Sequence, residues 1–263
     1  MIQDTRRRRL VKEDLVYGPL SSRRLGRSLG VNLLGTGAKY CSFNCRYCQC
    51  GWTVRRVREE TVAPSDLPTG DQVIDALETR LQQVRRERIP VDVITFSGNG
   101  EPTLHPELRA IVEAVSNLRD LYVPTARLAI LSNSSTVHRP EIRIALRRID
   151  LKLMKLDAGD EALVRRLNLP APGWNFAMMV RGLTELDGVI LQTMFVWGRV
   201  ANTAPAAIRQ WSDRVAEIRP RRVHIYTLDR VPADRTLIPV ARTVLESIAE
   251  YARKRAHVPI EVY

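Results

Sequence analysis

The stretch Cys41-Ser42-Phe43-Asn44-Cys45-Arg46-Tyr47-Cys48-Gln49-Cys50 gathers all four cysteines of a 263-residue chain into ten positions. It follows an apolar, β-rich run at residues 29–34, the first of a series in which short runs of this kind alternate with longer segments of helical period. The pattern predicts strands at residues 29–34, 91–96, 128–132, 150–156, 189–197 and 222–227, mostly continuous apolar runs, as parallel strands covered on both faces require. Helices are predicted at 71–86, where Val73, Ile74, Leu77, Leu81 and Val84 share a face, and at 106–118, 161–167, 175–186 and 239–257, with a last strand at 258–263. Arg139, Arg143, Arg147 and Arg148 fall on a further helix and read as a solvated face. Every interval between strands is long enough for a right-handed crossover, so one α/β domain is expected, barrel or open sheet, covering residues 29–263 behind an N-terminal extension at residues 1–28.

Composition narrows the class. Hydrophobic residues at 44% and charged residues at 27% are ordinary globular usage and exclude disorder, collagen and a simple coiled coil for the whole chain. No stretch approaches the roughly 20 apolar residues of a membrane helix. Arg6 to Arg9, followed by Lys12, Glu13 and Asp14, stand where a signal peptide would need its apolar core, so a cytoplasmic protein with no membrane partner is expected. The net charge of +12 comes from 41 basic residues, 36 of them arginine scattered along the chain, a pattern that genome base composition can produce. Nucleic acid is a possible partner but not the favoured one, because there is no basic repeat, no zinc-finger spacing and only 6% aromatic residues for stacking bases.

A cysteine cluster in a cytoplasmic chain points to metal or redox chemistry, not to a disulfide framework. Cys41, Cys45 and Cys48, at x3 and x2 spacing, can wrap one loop around a cubane of iron and sulfide and leave the fourth iron without a nearby protein ligand. Zinc on four thiolates is the alternative, although structural zinc sites usually draw two separated pairs from distant turns. The two-residue offset of Cys50 would point it elsewhere, which favours a small packed residue over a further ligand and leaves its role open between the two.

A second motif, Ser97-Gly98-Asn99-Gly100-Glu101-Pro102-Thr103-Leu104, directly follows the run at 91–96. Its glycines can expose backbone groups to a close ligand; a tight strand-to-helix turn with Glu101 at a helix start is the structural reading beside it. With these two motifs, Tyr47 at the aromatic position of C-x3-C-x-aromatic-C, and the segment from Tyr17 to Gly30, the chain resembles the radical S-adenosylmethionine enzymes. It looks closest to a branch of iron–sulfur oxidoreductases of unassigned substrate related to the wyosine synthases.

The resemblance implies a partial (β/α)6 TIM-type barrel with a parallel sheet and a C-terminal helix. It implies a 4Fe–4S cluster on Cys41, Cys45 and Cys48, and S-adenosylmethionine bound by Tyr47 and by Gly98, Asn99, Gly100 and Glu101, Asn99 standing where the commonest form has glycine. Ser132 and Asn133 match the methionine end of the cofactor, and the loop from Gly198 to Asn202 its adenosine. Lys155 and Asp157 share a strand face by period two and are the candidate catalytic residues. Lys155 lies where many members have serine, so it either holds a carboxylate or takes part in the reaction; a lysine merely paired with Asp157 or Asp160 is the structural reading. Gln192 and Thr227 extend a ring of polar residues at the strand ends, where such folds keep their chemistry. Arg23, Arg24 and Arg27 would hold an anionic substrate or brace a loop, and Asn168 matches a recurrent family segment without an implied role.

The function expected is reductive cleavage of S-adenosylmethionine to a 5′-deoxyadenosyl radical that takes hydrogen from an unidentified substrate, with an anionic small molecule or a modified nucleoside as candidates. A low-potential donor such as flavodoxin or ferredoxin would supply the electron. Two alternatives stand beside it: a metal-stabilised nucleic-acid-binding protein, and a tRNA-modifying wyosine-synthase-like enzyme, whose additional cysteine set has no counterpart here.

Overall fold

The computed structural model describes residues 12–57 and 67–263; the arginine run Arg6 to Arg9 lies outside the described residues. In chain order the elements are β1 (Val16–Ser22), β2 (Gly26–Val31), β3 (Tyr40–Cys41), β4 (Arg55–Arg56), α1 (Gly70–Arg86), β5 (Val93–Phe96), α2 (Leu108–Tyr122), β6 (Arg127–Ser132) and α3 (Pro140–Ala145). There follow β7 (Leu151–Lys155), α4 (Glu161–Leu167), α5 (Phe176–Thr184), β8 (Val189–Met194), β9 (Val196–Gly198), α6 (Pro205–Ile218), β10 (Arg222–Tyr226), β11 (Leu237–Pro239), α7 (Arg242–Ala256) and β12 (Ile260–Val262).

The main sheet has the order β1-β2-β5-β6-β7-β8-β10-β12. From β2 to β12 every pairing is parallel, and β1 alone runs antiparallel, on the edge of β2. Six strands from β2 to β10 linked by helical crossovers thus make the expected partial (β/α)6 barrel, to which α7 adds β12 as a seventh parallel strand; the sheet is open between its edge strands β1 and β12. Among the described residues no helix is long and apolar enough to cross a membrane.

Alternation along the strands sends two sets of residues to opposite faces. The outer set packs with the helices into a large core: α1 contributes Val73, Leu77, Leu81 and Val84, and Trp211 of α6 is buried with its indole Nε1 donating to Leu156 O and Thr193 Oγ1. Each such side chain contributes roughly 1.5–3 kcal/mol by leaving water. The helix starts are fixed locally. Thr69 and Gln72 form a reciprocal capping box at α1, Asp160 caps α4 and Asn175 caps α5. The inner set is small: Leu25, Val93, Ala129, Leu151, Leu153 and Ile190 close the barrel interior at one end.

Several expected boundaries move for identifiable reasons. The first barrel strand ends at Val31, not at residue 34, because Asn32 leaves the sheet and its Oδ1 accepts from Leu34 N and Asn99 N. It starts at Gly26, inside the segment expected as an extension, and β1 pairs with it there. The run at 189–197 is two strands: Phe195 N makes the last bond to β10, at Tyr226 O, Asn202 then takes Met194 O and Val196 N, and β9 pairs antiparallel with β11. α6 is an addition to the predicted helices; its buried stripe of Trp211, Val215 and Ile218 is thin among charged neighbours. Of the four arginines read as a solvated face, Arg143 is half-buried, donating to Val137 O and His138 O and pairing with Glu185.

One polar row crosses the inner face in register: Lys155 on β7 beside Gln192 on β8, then His224 on β10, then Glu261 on β12. His224 is buried, and its Nε2 lies 3.3 Å from Glu261 Oε2, yet neither ring nitrogen makes a hydrogen bond among the described residues. Burial pushes this imidazole down to about 4, Arg24 and Arg222 adding to the shift and Glu261 opposing it. Because the unfolded chain takes up that proton at higher pH, the stability held by neutral His224 is complete above about 6.5 and is lost as the pH falls towards 4. In thermal melts between pH 7 and 4.5, His224→Gln is therefore expected to lose less of its melting temperature than the unsubstituted protein does; parallel profiles would contradict this.

Candidate active site

The loop after β2 and the loop after β5 are stitched together at β3. Tyr40 N donates to Asn99 O, and Glu101 N donates back to Tyr40 O at 3.1 Å. This closeness explains both glycines. A Cβ on Gly100, whose φ is +143°, would overlap the Tyr40 carbonyl, and one on Gly98 would overlap the Asn32 side chain. The next residue after Tyr40 is Cys41, so the cysteine loop is anchored directly on the glycine motif.

The far end of the cysteine loop is clasped by the segment after α4. Asn44 N donates to Asn168 O and Leu169 O, Arg46 N to Leu167 O, and Ala171 N to Ser42 O. Arg46 pairs with Asp234 at 2.8 Å. Asn168 sends its side-chain amide to Cys45 Sγ, to Tyr47 OH at 2.9 Å and to Asp157 Oδ2 at 2.7 Å. The segment whose role the sequence left open is thus the backing of the cysteine loop.

All four thiols line one cavity of about 280 Å³ at the mouth of the barrel, with Lys39, Tyr47, Gly98, Gly100, Glu101, Ser132, Asn133, Lys155, Gln192 and Tyr226 around it. Cys50 was expected to turn elsewhere. Instead the turn from Cys48 to Gly51, closed by Gly51 N donating to Cys48 O, folds Cys50 back against Cys48 and Gly98 O. Lys39 is 3% exposed, and its ammonium donates to Gly51 O at 2.9 Å and to Cys48. Burial alone would push Lys39 down, but the sulfurs of Cys48, Cys41 and Cys45 outweigh it and hold the lysine charged. A thiol hydrogen bond from Cys50, with the Lys39 ammonium behind it, pulls Cys48 down, whereas burial pushes Cys41 up to about 12 and Cys45 in the same direction. A buried ammonium facing thiols fits a loop that works as thiolates, as a metal ligand set does. Among the described residues no three of His, Cys, Asp and Glu are grouped as a site for a metal ion.

Glu101 is the second centre of the cavity. It is 1% exposed; Oε1 accepts from Thr103 N, Thr103 Oγ1 and Ser132 Oγ, and Oε2 from Asn133 N. Burial still pushes its carboxyl up, against these hydrogen bonds. Asn133 then reaches Ser42 Oγ at 2.9 Å and Cys41 Sγ at 3.5 Å, so Ser132 and Asn133 join the carboxylate to the cysteine loop.

Across the cavity, Lys155 Nζ stands 4.5 Å from the Tyr47 ring centroid, 5.0 Å from that of Tyr226, and 3.3 Å from Asp157 Oδ1. Burial would lower Lys155, but Asp157 and then Tyr226 outweigh it and raise it. Asp157 itself does not line the cavity. Its oxygens are taken up by Tyr47 OH, Asn168 and Met194 N, which makes it the brace behind Tyr47 and Lys155. Burial, and next the Asp157 charge, push the Tyr47 phenol well above its ordinary value, so it stays protonated.

Three other residues expected at the cofactor do not line the cavity. Asn99 is fully buried with its side chain bonded to the Lys12 backbone and Gly35 O. Asn202 holds Val196 N, Asp157 O and Met194 O together. Gly198 lies exposed in β9, paired with Leu237. Thr227 likewise turns out of the barrel to Phe195 O, and by period two it is Tyr226 that faces in. Lys39 and Tyr226 were missed from sequence: a lone lysine two residues before a cysteine carries no pattern, and the inward residue of β10 was placed one position late.

A family profile described as the Radical SAM superfamily matches residues 37–187, more than half of the chain. A UPF0026 protein of Methanocaldococcus jannaschii is 30% identical over 240 residues, covering 89% of this chain and 70% of that protein. A radical SAM methyltransferase from Sphaerobacter thermophilus superposes with a TM-score of 0.67 at 16% identity, over 90% of this chain and 65% of that one. TYW1 with a lysine–pyruvate adduct bound superposes with a TM-score of 0.58 at 14% identity, over 88% of this chain and 74% of that one. At those identities the two structures show the fold alone.

Removing the Asn168 side chain leaves buried Asp157 and Tyr47 short of a donor. Asn168→Ala is expected to cost about 1–3 kcal/mol of unfolding free energy, seen in urea titrations of the metal-free protein as a lower midpoint at unchanged slope. An unchanged midpoint would remove Asn168 from the support of the loop.

Proposed function

Because the chain belongs to the radical S-adenosylmethionine superfamily, whose enzymes use a 4Fe–4S cluster and S-adenosylmethionine, we propose that Cys41, Cys45 and Cys48 are the cluster ligands and that the cavity before them is where the cofactor and a substrate meet. The observation that carries this reading is the convergence of the cysteine loop and Glu101, from two separate loops, on one cavity at the strand ends. Held by Cys41, Cys45 and Cys48, the cluster would supply the one-electron reduction that cleaves S-adenosylmethionine, and with it the hydrogen-abstracting chemistry of this cavity.

The chain's own part is orientation and exclusion. Glu101 Oε2 accepts only from Asn133 N among the described residues, which leaves it capacity for an ammonium such as that of the methionine moiety. Ser132 and Asn133 fix that carboxylate and so position the contact. Lys39 offsets the negative charge that the thiolates bring. Tyr47, held protonated by burial and by Asp157, walls the cavity with Leu131 and Met194 and limits stray hydrogen donors and water. Lys155 is the residue in contact with substrate, and Asp157 acts through it as a positioning residue. The electron donor in this reading is a flavodoxin- or ferredoxin-type protein. Nucleic acid is not favoured as substrate.

Alanine at Cys41, Cys45 or Cys48 is expected to abolish iron binding after anaerobic reconstitution, and Cys50→Ala to retain the cluster absorbance. Loss of iron in Cys50→Ala would overturn the ligand set. Glu101→Gln is expected to keep the absorbance and weaken S-adenosylmethionine binding about tenfold to a hundredfold, the range for losing a charged hydrogen bond. Equal affinity by equilibrium dialysis would free Glu101 of that role.

A further inference from the structure

We propose that the side of the cavity formed by β7, β8, β10 and the turn between β1 and β2 is a binding site for an anionic group, a carboxylate or a phosphate, on the molecule that gives up the hydrogen atom, with Arg24 and Lys155 as its ligands. This rests on the functional reading above and deepens it by naming the substrate class.

Arg24 belongs to the β1–β2 turn, yet its side chain crosses to the other side of the open barrel. Its Nη1 donates to Gln192 Oε1 at 3.0 Å, and its guanidinium carbon lies 4.4 Å from the Tyr226 ring centroid. Lys155 Nζ lies 5.0 Å from the centroid of that same ring, so one tyrosine carries both cations. All four side chains line the cavity, and Lys155 and Gln192 are neighbours in register.

The balance of charge on this side is unusual. The neighbouring arginines of the segment have carboxylates at the surface: Arg23 pairs with Asp229 and Arg27 with Asp92. Arg24 has none among the described residues. Its partners are a neutral amide and a ring, and Nε and Nη2 have no hydrogen-bond acceptor there. Lys155 has Asp157, but at 3.3 Å, and that carboxylate already accepts from Tyr47, Asn168 and Met194 N. The carboxylate that does line the cavity, Glu101, takes its hydrogen bonds from the end of β6 and the loops after β5 and β6. Two cations therefore stand on this side of the cavity with one carboxylate, Asp157, already shared with three other donors.

A cation drawn from water without a counter-charge is unfavourable, and an incoming anion removes that penalty. The fork geometry of guanidinium, with one nitrogen engaged by Gln192, leaves an edge suited to two oxygens of a carboxylate or phosphate; the lysine ammonium adds a point charge. The position also suits the chemistry. A substrate anchored here lies across the cavity from Glu101, so its remaining part projects towards the place proposed for the cofactor.

The test uses the anaerobically reconstituted full chain. Equilibrium dialysis with inorganic phosphate and with malonate, as separate probes, reads the site, and the iron content and S-adenosylmethionine binding of the same samples read the underlying functional assignment. Saturable binding of about one equivalent of at least one probe is expected, the stronger probe telling phosphate from carboxylate. Arg24→Met and Lys155→Met are each expected to weaken it about tenfold or more, Arg24→Lys less than Arg24→Met. S-adenosylmethionine affinity of Arg24→Met should stay within about twofold of the unsubstituted protein. On the unsubstituted protein, where folding of a variant is not at issue, the preferred probe should protect Arg24 from phenylglyoxal in peptide mapping. Three results would each overturn the proposal: no saturable binding of either probe by iron-loaded protein, equal labelling of Arg24 with and without probe, or a loss of S-adenosylmethionine affinity in Arg24→Met as large as the loss for the probe. The last would assign the anion at Arg24 to the cofactor's own carboxylate. Absence of iron or of S-adenosylmethionine binding in the unsubstituted chain would instead fail the functional reading.

Discussion

The contact between Gly100 and the carbonyl of Tyr40 couples the two motifs that carry the chemistry. Two hydrogen bonds flank it, Tyr40 N to Asn99 O and Glu101 N to Tyr40 O, and they close only because position 100 has no side chain and takes a φ of +143°. Cys41 follows Tyr40 and Glu101 follows Gly100, so one backbone junction sets the separation between the first thiol and the buried carboxylate. From that junction the support spreads outward. Glu101 ties the end of β6 through Ser132 and Asn133, Asn133 returns to Ser42 and Cys41, and the other end of the loop rests on Asn168 and Asp157.

Charge is arranged around the same frame. Lys39, buried among thiols, favours their ionised forms, and Glu101 is kept in an apolar setting where burial and four donors oppose each other. Each of these groups alone would be unfavourable to bury. Together they make a cavity with a carboxylate on one side, a cysteine loop with its own cation at the rim, and two further cations on the far side, Arg24 and Lys155.

The α/β alternation and the parallel order were legible because each strand carries a dense apolar run and each major helix a stripe of period 3.6, as α1 does with Val73, Leu77, Leu81 and Val84. The misplacements share a cause. β2 ends where the Asn32 side chain takes Asn99 N, the run at 189–197 divides where β9 leaves β10 to pair with β11, and α6 forms although only Trp211, Val215 and Ile218 mark it. In each case a partner distant in the chain outweighed local pattern. At the site, Cys41, Cys45, Cys48, Gly98, Gly100, Glu101, Ser132, Asn133, Tyr47 and Lys155 line the cavity, whereas Asn99, Asn202 and Asp157 are consumed in holding backbone or neighbouring side chains.

By itself the sequence determined the fold class and the family, since x3 and x2 spacing of cysteines and a glycine–glutamate loop after a strand are properties of neighbouring residues along one chain. Tertiary structure alone decided which polar groups remain free to meet a ligand. Whether Arg24 is braced or available, whether Asp157 faces the cavity or backs it, and where Cys50 turns depend on hydrogen-bond partners that lie between two and 168 positions away in the chain. Hydrogen-bond capacity is used up by whichever partner the fold brings closest, and residue type states the capacity without saying what has consumed it.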